Sequence, residues 1–270
     1  MEEVEKYTAS DTGPVGLINQ NAGVKPVQVN QELFSLIQRV LEYSIATEGR
    51  FDPTIGPLVE LWGFGYDGTG RLPTEHEITS VLPLVNKDLV VLDEEAQTVF
   101  LTKKGMLLDL GGVAKGYAVD QAWEVLDADW VWGALVNGGE SSIRVLGTRP
   151  NFGPWRIGVA HPRNEGWIGI INLPSAKAIS TSADTQRFFE SEGRRYSHLI
   201  NPNSGYAVLD LYSATVITDS AFAADIYSTA VFVAEKTNRV KLLNQWQVEG
   251  VVTDAKGEIH YTPGMKSLFR

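Results

Sequence analysis

The order of helix-like and strand-like segments is the feature that most constrains how this 270-residue chain folds. Asn30 is a good N-cap, and apolar residues then recur at helical spacing between positions 33 and 41. Gly49 is expected to end this helix, because glycine disfavours helix continuation. Further helices are predicted from Thr74, over about 113–126 and over about 221–234.

Short apolar or β-branched runs bounded by turn residues predict strands through the rest of the chain. They cover residues 89–92, 98–101, 106–110, 132–136, 142–146, 155–160, 167–173, 178–181, 214–218 and 248–253. Strands and helices do not alternate strictly, so the pattern predicts an α+β fold with mixed sheets rather than a doubly wound parallel sheet. No internal repeat or long linker is visible, and we expect a single domain over residues 1–270.

Composition excludes several classes of protein. A hydrophobic fraction of 43% is too high for a disordered chain, and the absence of cysteine excludes disulfide scaffolds and cysteine-ligated metal sites. The chain has 33 acidic and 23 basic residues, a net charge of −10. A phosphate-backbone binder needs a basic surface, so nucleic acid is not an expected partner.

No apolar run is long enough for a transmembrane segment. The first residues, 1–6, lack the basic and apolar regions of a secretion signal. We therefore expect either a cytoplasmic protein or one whose leader is not part of this sequence.

Residues 109–117 read Asp-Leu-Gly-Gly-Val-Ala-Lys-Gly-Tyr, paired glycines between a predicted strand and a predicted helix. Glycines allow close approach of a ligand to the backbone, and a helix N-terminus favours an anion. Lys115 is placed to meet a phosphate. The run matches neither a P-loop nor GxGxxG, so an ordinary strand-to-helix turn is the alternative.

Asp225 and Thr229 are four residues apart on the predicted helix over 221–234 and share one face of it. A carboxylate and a hydroxyl directed at one point suit Mg²⁺, which takes hard oxygen ligands. Small apolar neighbours predict a buried helix, and a buried Asp must be paired or bind a metal. A polar surface pair is the alternative.

Two further segments are candidates for chemistry. His198 precedes a turn containing Pro, Asn, Ser and Gly, a position suited to acid–base catalysis, although a hydrogen-bonded structural His is the alternative. Residues 50–65, beginning Arg50-Phe51-Asp52, are rich in turns and aromatic residues. They indicate core packing or an aromatic wall for a planar ligand.

Taken together, these motifs resemble the ApbE family, the FAD:protein FMN transferases. The matching runs, in order, are FDPTIGPLVELWGFG, DLGGVAKGYAVD, ALVNGGES, ISTSADTQRFFE, RYSHLINPNSGY and AADIYSTAVFV. The resemblance covers most of the chain from about Asn19 onward and implies a T-fold-related α+β architecture. It also implies Mg²⁺-dependent transfer of FMN from FAD to a Thr or Ser hydroxyl of a target protein, with release of AMP.

The resemblance assigns roles to individual residues. Asp225, Thr229 and the backbone carbonyl of Gly112 would be Mg²⁺ ligands, and His198 would be the mechanistic His. The residues expected to contact FAD are Arg50, Phe51, Asp52, Asp109, Lys115, Ile200 through its backbone, and Tyr7, which is the candidate for the family's flavin-side tyrosine.

The family also suggests the setting of the reaction. Flavin-carrying subunits of respiratory redox pumps are typical acceptors, and family members are usually exported, so a periplasmic or other extracytoplasmic location is expected, with a cytoplasmic one as the alternative. Whether the chain forms a homodimer is left open. Members usually begin with extra strands before the segment around Tyr7, so we expect this chain to be short at its N-terminus.

Two other functions remain open from the sequence. The same site would serve a Mg²⁺-dependent FAD pyrophosphatase, in which water replaces the acceptor hydroxyl and the products are FMN and AMP. A flavin-binding protein without turnover is the alternative from a different class.

Overall fold

A computed structural model describes residues 10–65, 68–128, 131–139, 141–150 and 153–270. The chain divides into two compact units. Unit 1 comprises residues 1–114 and 187–208, and unit 2 comprises residues 115–186 and 209–270. Tyr7 lies outside the described residues.

The helices follow one another along the chain as α1 (Gly13–Gln20), α2 (Gln31–Ala46), α3 (Gly56–Leu61), α4 (Glu75–Val81), α5 (Gly111–Ala128), α6 (Ala221–Val233), α7 (Arg239–Gln245) and α8 (Met265–Leu268). Short 3₁₀ turns cover Leu82–Leu84, Lys87–Leu89 and Lys236–Asn238.

The strands are β1 (Val27–Gln28), β2 (Val90–Asp93), β3 (Thr98–Leu101), β4 (Gly133–Gly138), β5 (Ser142–Gly147), β6 (Trp155–Ala160), β7 (Trp167–Leu173), β8 (Ala178–Ala183), β9 (Phe188–Ser191), β10 (Arg194–Ser197), β11 (Leu211–Thr218), β12 (Glu249–Asp254) and β13 (Ile259–Tyr261). Together with the helices they confirm the predicted α+β class.

Unit 1 contains a three-stranded antiparallel sheet in the order β1–β3–β2 and the hairpin β9–β10. Its helix α2 begins as predicted, because the Asn30 side chain accepts the Leu33 N–H at 3.0 Å. The buried stripe of α2 includes Leu33, Ile37 and Val40. The helix ends at Ala46, and Gly49 follows with φ of +73°, a conformation that favours glycine.

The core of unit 1 forms around Trp62, which is 1% exposed. Its indole Nε1 donates to the Gly205 carbonyl at 2.8 Å, so the buried ring also satisfies its polar atom. Phe189 and Tyr196 stack beside it with centroids 5.3 Å apart. These contacts join the turn after residue 200, helix α3 and the β9–β10 hairpin within one core.

The predicted strand over residues 106–110 is wrong. The Leu108 N–H donates to Oδ1 of the Asn19 side chain at 2.7 Å, and the Leu108 carbonyl accepts from Nδ2 of Asn19 at 3.0 Å. The next N–H, that of Asp109, donates to the Pro53 carbonyl at 2.8 Å. A buried side-chain amide therefore occupies the place that a neighbouring strand would take.

Unit 2 contains a six-stranded antiparallel sheet in the order β13–β12–β11–β8–β5–β4. Alternate residues of β8 point to opposite faces of this sheet and pack against different elements. Ile179 packs in a cluster with Ile171 of the β6–β7 hairpin, whereas Ala178 packs with Val119 of α5 and Ala221 of α6. The hairpin and the helices therefore cover opposite faces of the sheet.

Helix α6 confirms the prediction over 221–234 to within one residue. The Ser220 side chain accepts the Ala223 N–H at 3.1 Å and caps the helix, and almost every residue of α6 is buried. Most predicted strands are also observed within a few residues of their predicted ends. Within the described residues, no helix has both the length and the apolar character that a membrane span requires.

Candidate functional site

Asp225 is a carboxylate in the interior of unit 2, with 5% of the residue exposed. The Ser142 and Ser180 hydroxyls donate to its Oδ1 at 2.5 and 2.6 Å, and the Gly116 N–H donates to its Oδ2 at 2.7 Å. The prediction that Asp225 is buried is confirmed. We call Gly116, Ser142, Ser180 and Asp225 the aspartate cluster.

Thr229 lies one helical turn after Asp225 and contacts Ser182. The Ser182 and Thr229 hydroxyl oxygens are 3.1 Å apart, and Ser182 also contacts the Ser228 hydroxyl at 2.9 Å. Two residues of a strand span about 6.7 Å, and four residues of a helix span about 6 Å. This match allows Ser180 and Ser182 of β8 to face Asp225 and Thr229 of α6 in pairs.

Burial raises the pKa of the Asp225 carboxyl, and the hydrogen bonds from Ser142, Ser180 and Gly116 and the charge of Lys115 oppose that rise. A carboxylate offers about four lone-pair sites, and the three donors leave one of them on Oδ2. With the Thr229 hydroxyl one turn away, the donor set is made of hard oxygen atoms. These residues fit a divalent cation such as Mg²⁺.

A second acidic group in unit 2 consists of Asp254, Glu258 and His260. Asp254 already accepts the N–H groups of Lys256 and Glu258 and pairs with Lys236 at 3.0 Å. These bonds compensate the buried Asp254 carboxylate without a metal. The group is therefore not a better candidate for the predicted cation site than Asp225.

In unit 1, Asp109 lies just before helix α5 and accepts the Gly111 N–H at 2.8 Å. Burial raises the pKa of the Asp109 carboxyl, and the Gly111 hydrogen bond and the charge of Arg187 oppose the rise. Gly112 is exposed, and a Cβ at this position would lie 3.2 Å from the Phe51 ring. Phe51 therefore packs against the backbone at the start of α5.

The two residues that flank Phe51 have partners of their own. Arg50 donates to the Glu48 carboxylate at 2.6 Å and to the Thr47 carbonyl at 3.2 Å. The buried Asp52 carboxylate accepts the Thr54 N–H and hydroxyl and the Lys87 N–H. Asp52 thus stabilises the turn before α3, and its contact with FAD stays a prediction.

His198 is partly exposed at the end of β10. Its Nδ1 lies 3.3 Å from the Arg187 carbonyl oxygen, and its ring meets Phe64 edge-on at 6.4 Å between centroids. Ile200 is buried and forms a β-bridge with Ala207 across the turn that follows the His. This bridge orders the backbone two residues after His198.

The ApbE family model matches residues 2–252 of the chain. The chain belongs to the ApbE family. It is 36% identical over 218 residues to the FAD:protein FMN transferase of Klebsiella pneumoniae strain 342, and the match covers 80% of this chain and 66% of that protein. It is 31% identical over 242 residues to the FAD:protein FMN transferase of Rhodobacter capsulatus, with 89% of this chain and 46% of that protein covered.

A solved structure supports the same assignment. The crystal structure of the ApbE protein from Thermotoga maritima MSB8 aligns with all of this chain and 88% of that chain, with a TM-score of 0.92 and 33% identity. The predicted ApbE-like fold is confirmed. The chain spans less than two thirds of the length of the first two curated relatives that it matches.

Sequence reasoning missed the serines that contact Asp225 and Thr229 in this ApbE chain. Ser180 and Ser182 lie within the run ISTSADTQRFFE, and Ser142 directly follows the run ALVNGGES, but no role was predicted for them. Their signal is alternation: Ser180 and Ser182 occupy one face of a strand whose other face carries Ile179. Hydroxyls that alternate with apolar residues in a central strand indicate a buried polar partner.

Proposed function

We propose that this chain is a Mg²⁺-dependent transferase that moves the FMN part of FAD onto a Thr or Ser hydroxyl of an acceptor protein and releases AMP. The observation that carries the proposal is the buried Asp225 carboxylate, held by three donors with an acceptor site left over, in a chain of the ApbE family. The curated relatives named above are FAD:protein FMN transferases, which supports the transfer of FMN from FAD to a protein.

Asp225 and Thr229 would hold the cation, with the Gly112 carbonyl as a third ligand by family resemblance. When bound, Mg²⁺ neutralises charge that develops on the pyrophosphate oxygens during the reaction. The aspartate cluster keeps the carboxylate in a fixed orientation, because Oδ1 receives two hydroxyls and Oδ2 one N–H. A fixed ligand needs no reorganisation when the substrate binds.

The FAD contacts are proposed from the family motifs together with the chemistry of the side chains. Lys115 supplies a positive charge for the phosphates, and Phe51 supplies an apolar ring beside the glycine pair. Asp109, Arg50, Asp52 and the Ile200 backbone complete the proposed set. Tyr7 retains its predicted role beside the flavin.

In the proposed step, the acceptor hydroxyl oxygen forms a bond to the FMN phosphorus. The bond from that phosphorus to the bridging oxygen breaks, and AMP leaves with the bridging oxygen. His198 takes the hydroxyl proton or orients the hydroxyl. If Nδ1 donates to the Arg187 carbonyl, Nε2 carries the lone pair that accepts the proton.

Incubation with FAD, Mg²⁺ and a Thr-containing acceptor protein tests the proposal. A flavin-fluorescent acceptor band with an equal amount of AMP is expected. FMN and AMP without labelled acceptor would indicate a pyrophosphatase, and unchanged FAD would indicate a binding protein.

Variants of the two proposed ligands test the cation site. Asp225→Asn and Thr229→Val should lose Mg²⁺-dependent transfer, whereas Asp127→Asn, an exposed Asp on α5, should not. Wild-type transfer by both ligand variants would overturn the metal assignment.

The setting of the reaction is part of the same proposal. By family resemblance, the acceptors are flavin-carrying subunits of respiratory redox pumps, and the protein works outside the cytoplasm. Fractionation of cells that express the natural gene, followed by detection of flavinylated proteins, tests both points. Protein and product found only in the cytoplasmic fraction would favour the cytoplasmic alternative.

A further inference from the structure

We propose that unit 2 carries a second ligand site, a cleft that binds a phosphate-bearing anion. The cleft has a volume of about 600 Å³, and the residues that give it its chemistry are Arg149, Arg156, Asn172, Ser267 and Arg270. We call it the arginine cleft. Its volume lies within the range of small-molecule sites.

The arginines of the cleft differ from the other arginines of unit 2 in their charge pairing. Three of the arginines of unit 2 pair with aspartates: Arg144 with Asp120, Arg163 with Asp184, and Arg239 with Asp210. The other three arginines of unit 2 are those that line the cleft. Within the described residues, none of these three forms an ion pair with a carboxylate.

Arg149 also carries an unsatisfied hydrogen-bond donor. Nε of Arg149 is buried and has no hydrogen-bond partner among the described residues. Nε atoms of Arg144 and Arg239 are also buried without a partner, but their guanidinium groups are compensated by aspartates. Among the described residues, no carboxylate compensates the charge of Arg149 in this way, and a bound anion would provide that compensation.

The donor set favours phosphate. A single guanidinium fork suffices for a carboxylate, whereas a phosphate monoester presents three terminal oxygens and up to two negative charges. Three guanidinium groups and the Asn172 amide match the three oxygens and the charge of a phosphate, while the Ser267 hydroxyl at the cleft already donates to the Gly264 carbonyl at 2.8 Å. The chain as a whole carries a charge of −10, so anions are not attracted to it generally and the cleft is a local exception.

Two of the cleft residues lie on strands, and a third is hydrogen-bonded to a strand through its backbone. Arg156 of β6 and Asn172 of β7 are directly opposite in the hairpin register. Arg270 exchanges two backbone hydrogen bonds with Ile170, its N–H donating at 2.9 Å and its backbone oxygen accepting at 2.7 Å. Since β6 and β7 cover the face of the sheet opposite to α6, the cleft is separate from Asp225.

Isothermal titration calorimetry in EDTA at fixed ionic strength tests the site with inorganic phosphate, pyrophosphate and AMP as probes. The wild-type protein should bind at least one probe saturably. The double variant Arg156→Gln/Arg270→Gln should bind it at least tenfold more weakly, and Lys266→Gln, an exposed cation on α8, should bind it normally. Circular dichroism melting checks that each variant is folded.

Asp225→Asn separates this site from the proposed reaction. It should retain full binding in the cleft even when transfer is lost. Stronger binding of AMP than of phosphate would identify a nucleotide as the source of the phosphate, and equal binding would identify free phosphate. Absence of saturable binding for every probe, unchanged binding in the double variant, or loss of binding in Asp225→Asn would overturn the proposal.

Discussion

The Gly116 N–H donates a 2.7 Å hydrogen bond to Oδ2 of Asp225, so the backbone of α5 is in direct contact with the buried carboxylate of α6. A Cβ at position 116 would lie 2.3 Å from the Ala221 carbonyl oxygen and 2.8 Å from Asp225 Oδ2. Both neighbours are closer than packed atoms tolerate. Glycine is therefore required here because the two helices meet without a side chain between them.

Gly116→Ala should displace α6 from α5 and disturb the orientation of Asp225. Overpacking of this kind costs about 1–3 kcal/mol of unfolding free energy. We also expect the Mg²⁺-dependent transfer rate to fall at least tenfold. Urea unfolding and the transfer assay measure the two effects. Gly65→Ala is the matched control, because among the described residues the only atom within 4 Å of its added Cβ is Cγ of Glu60, at 4.0 Å. Normal activity and stability of Gly116→Ala would refute the argument.

Asp120 ties the start of α6 to α5. Its carboxylate accepts the N–H groups of Ala221 and Phe222 at 2.8 and 2.9 Å, and Arg144 donates to it at 2.8 Å. Asp120→Asn loses the charge opposite Arg144 and cannot accept at both former positions. Breaking a buried pair costs about 3–5 kcal/mol.

Thermal or urea unfolding of Asp120→Asn measures that loss, with Asp127→Asn as the control from the exposed side of the same helix. Because α6 carries Asp225, the KM for Mg²⁺ should rise together with the loss of stability. A variant that is destabilised but has an unchanged Mg²⁺ dependence would show that Asp120 supports the fold alone.

The Asn19 side chain forms hydrogen bonds with both backbone groups of Leu108. Because Leu108 pairs with this side chain rather than with a neighbouring strand, replacing Asn19 should leave both groups without a partner. Asn19→Leu leaves a buried N–H and carbonyl unpaired, and each such group costs about 1–3 kcal/mol. We expect a stability loss of that order in urea unfolding. Asn21→Ala, which removes an exposed-side hydrogen bond to Leu17, should change stability little. Equal effects of the two variants would contradict the role given to Asn19.

The sequence predicts what depends on neighbours along the chain. Asn30 and Thr74 cap their helices as expected, because capping is decided within one turn. The burial of Asp225 also follows from its small apolar neighbours. Local sequence patterns do not predict contacts between residues far apart in the chain, such as the contact between Asn19 and Leu108, which are 89 residues apart.

The partners of Asp225 in the aspartate cluster also cannot be predicted from local sequence. Ser142 and Ser180 lie 83 and 45 residues from Asp225, and only the pairing of β5 with β8 brings them together. The run ISTSADTQRFFE contains Ser180 and the run ALVNGGES ends one residue before Ser142, but neither run indicates which atoms meet. Local patterns therefore predict the helix that carries the carboxylate, and the sheet register determines its partners.

Asp254 provides a pH-dependent stability prediction. Its side chain is 3% exposed. Burial alone would raise the pKa of the carboxyl, but Lys236 and the N–H groups of Lys256 and Glu258 outweigh it and lower the pKa from 3.8 to about 2. Since the folded pKa lies below the unfolded one, this contribution is complete above about pH 4. It is lost as the pH falls towards about 2, where the folded carboxyl is protonated.

Asp254→Asn should therefore lower stability at pH 7 and reduce the dependence of the unfolding free energy on pH between about 4 and 2. Urea unfolding at closely spaced pH values measures both effects. Glu258→Gln is the control, because its exposed side chain leaves the backbone N–H to Asp254 in place. If wild type and Asp254→Asn lose stability in parallel over this pH range, other carboxylates dominate the acid transition and the pKa of Asp254 is not lowered in the folded state.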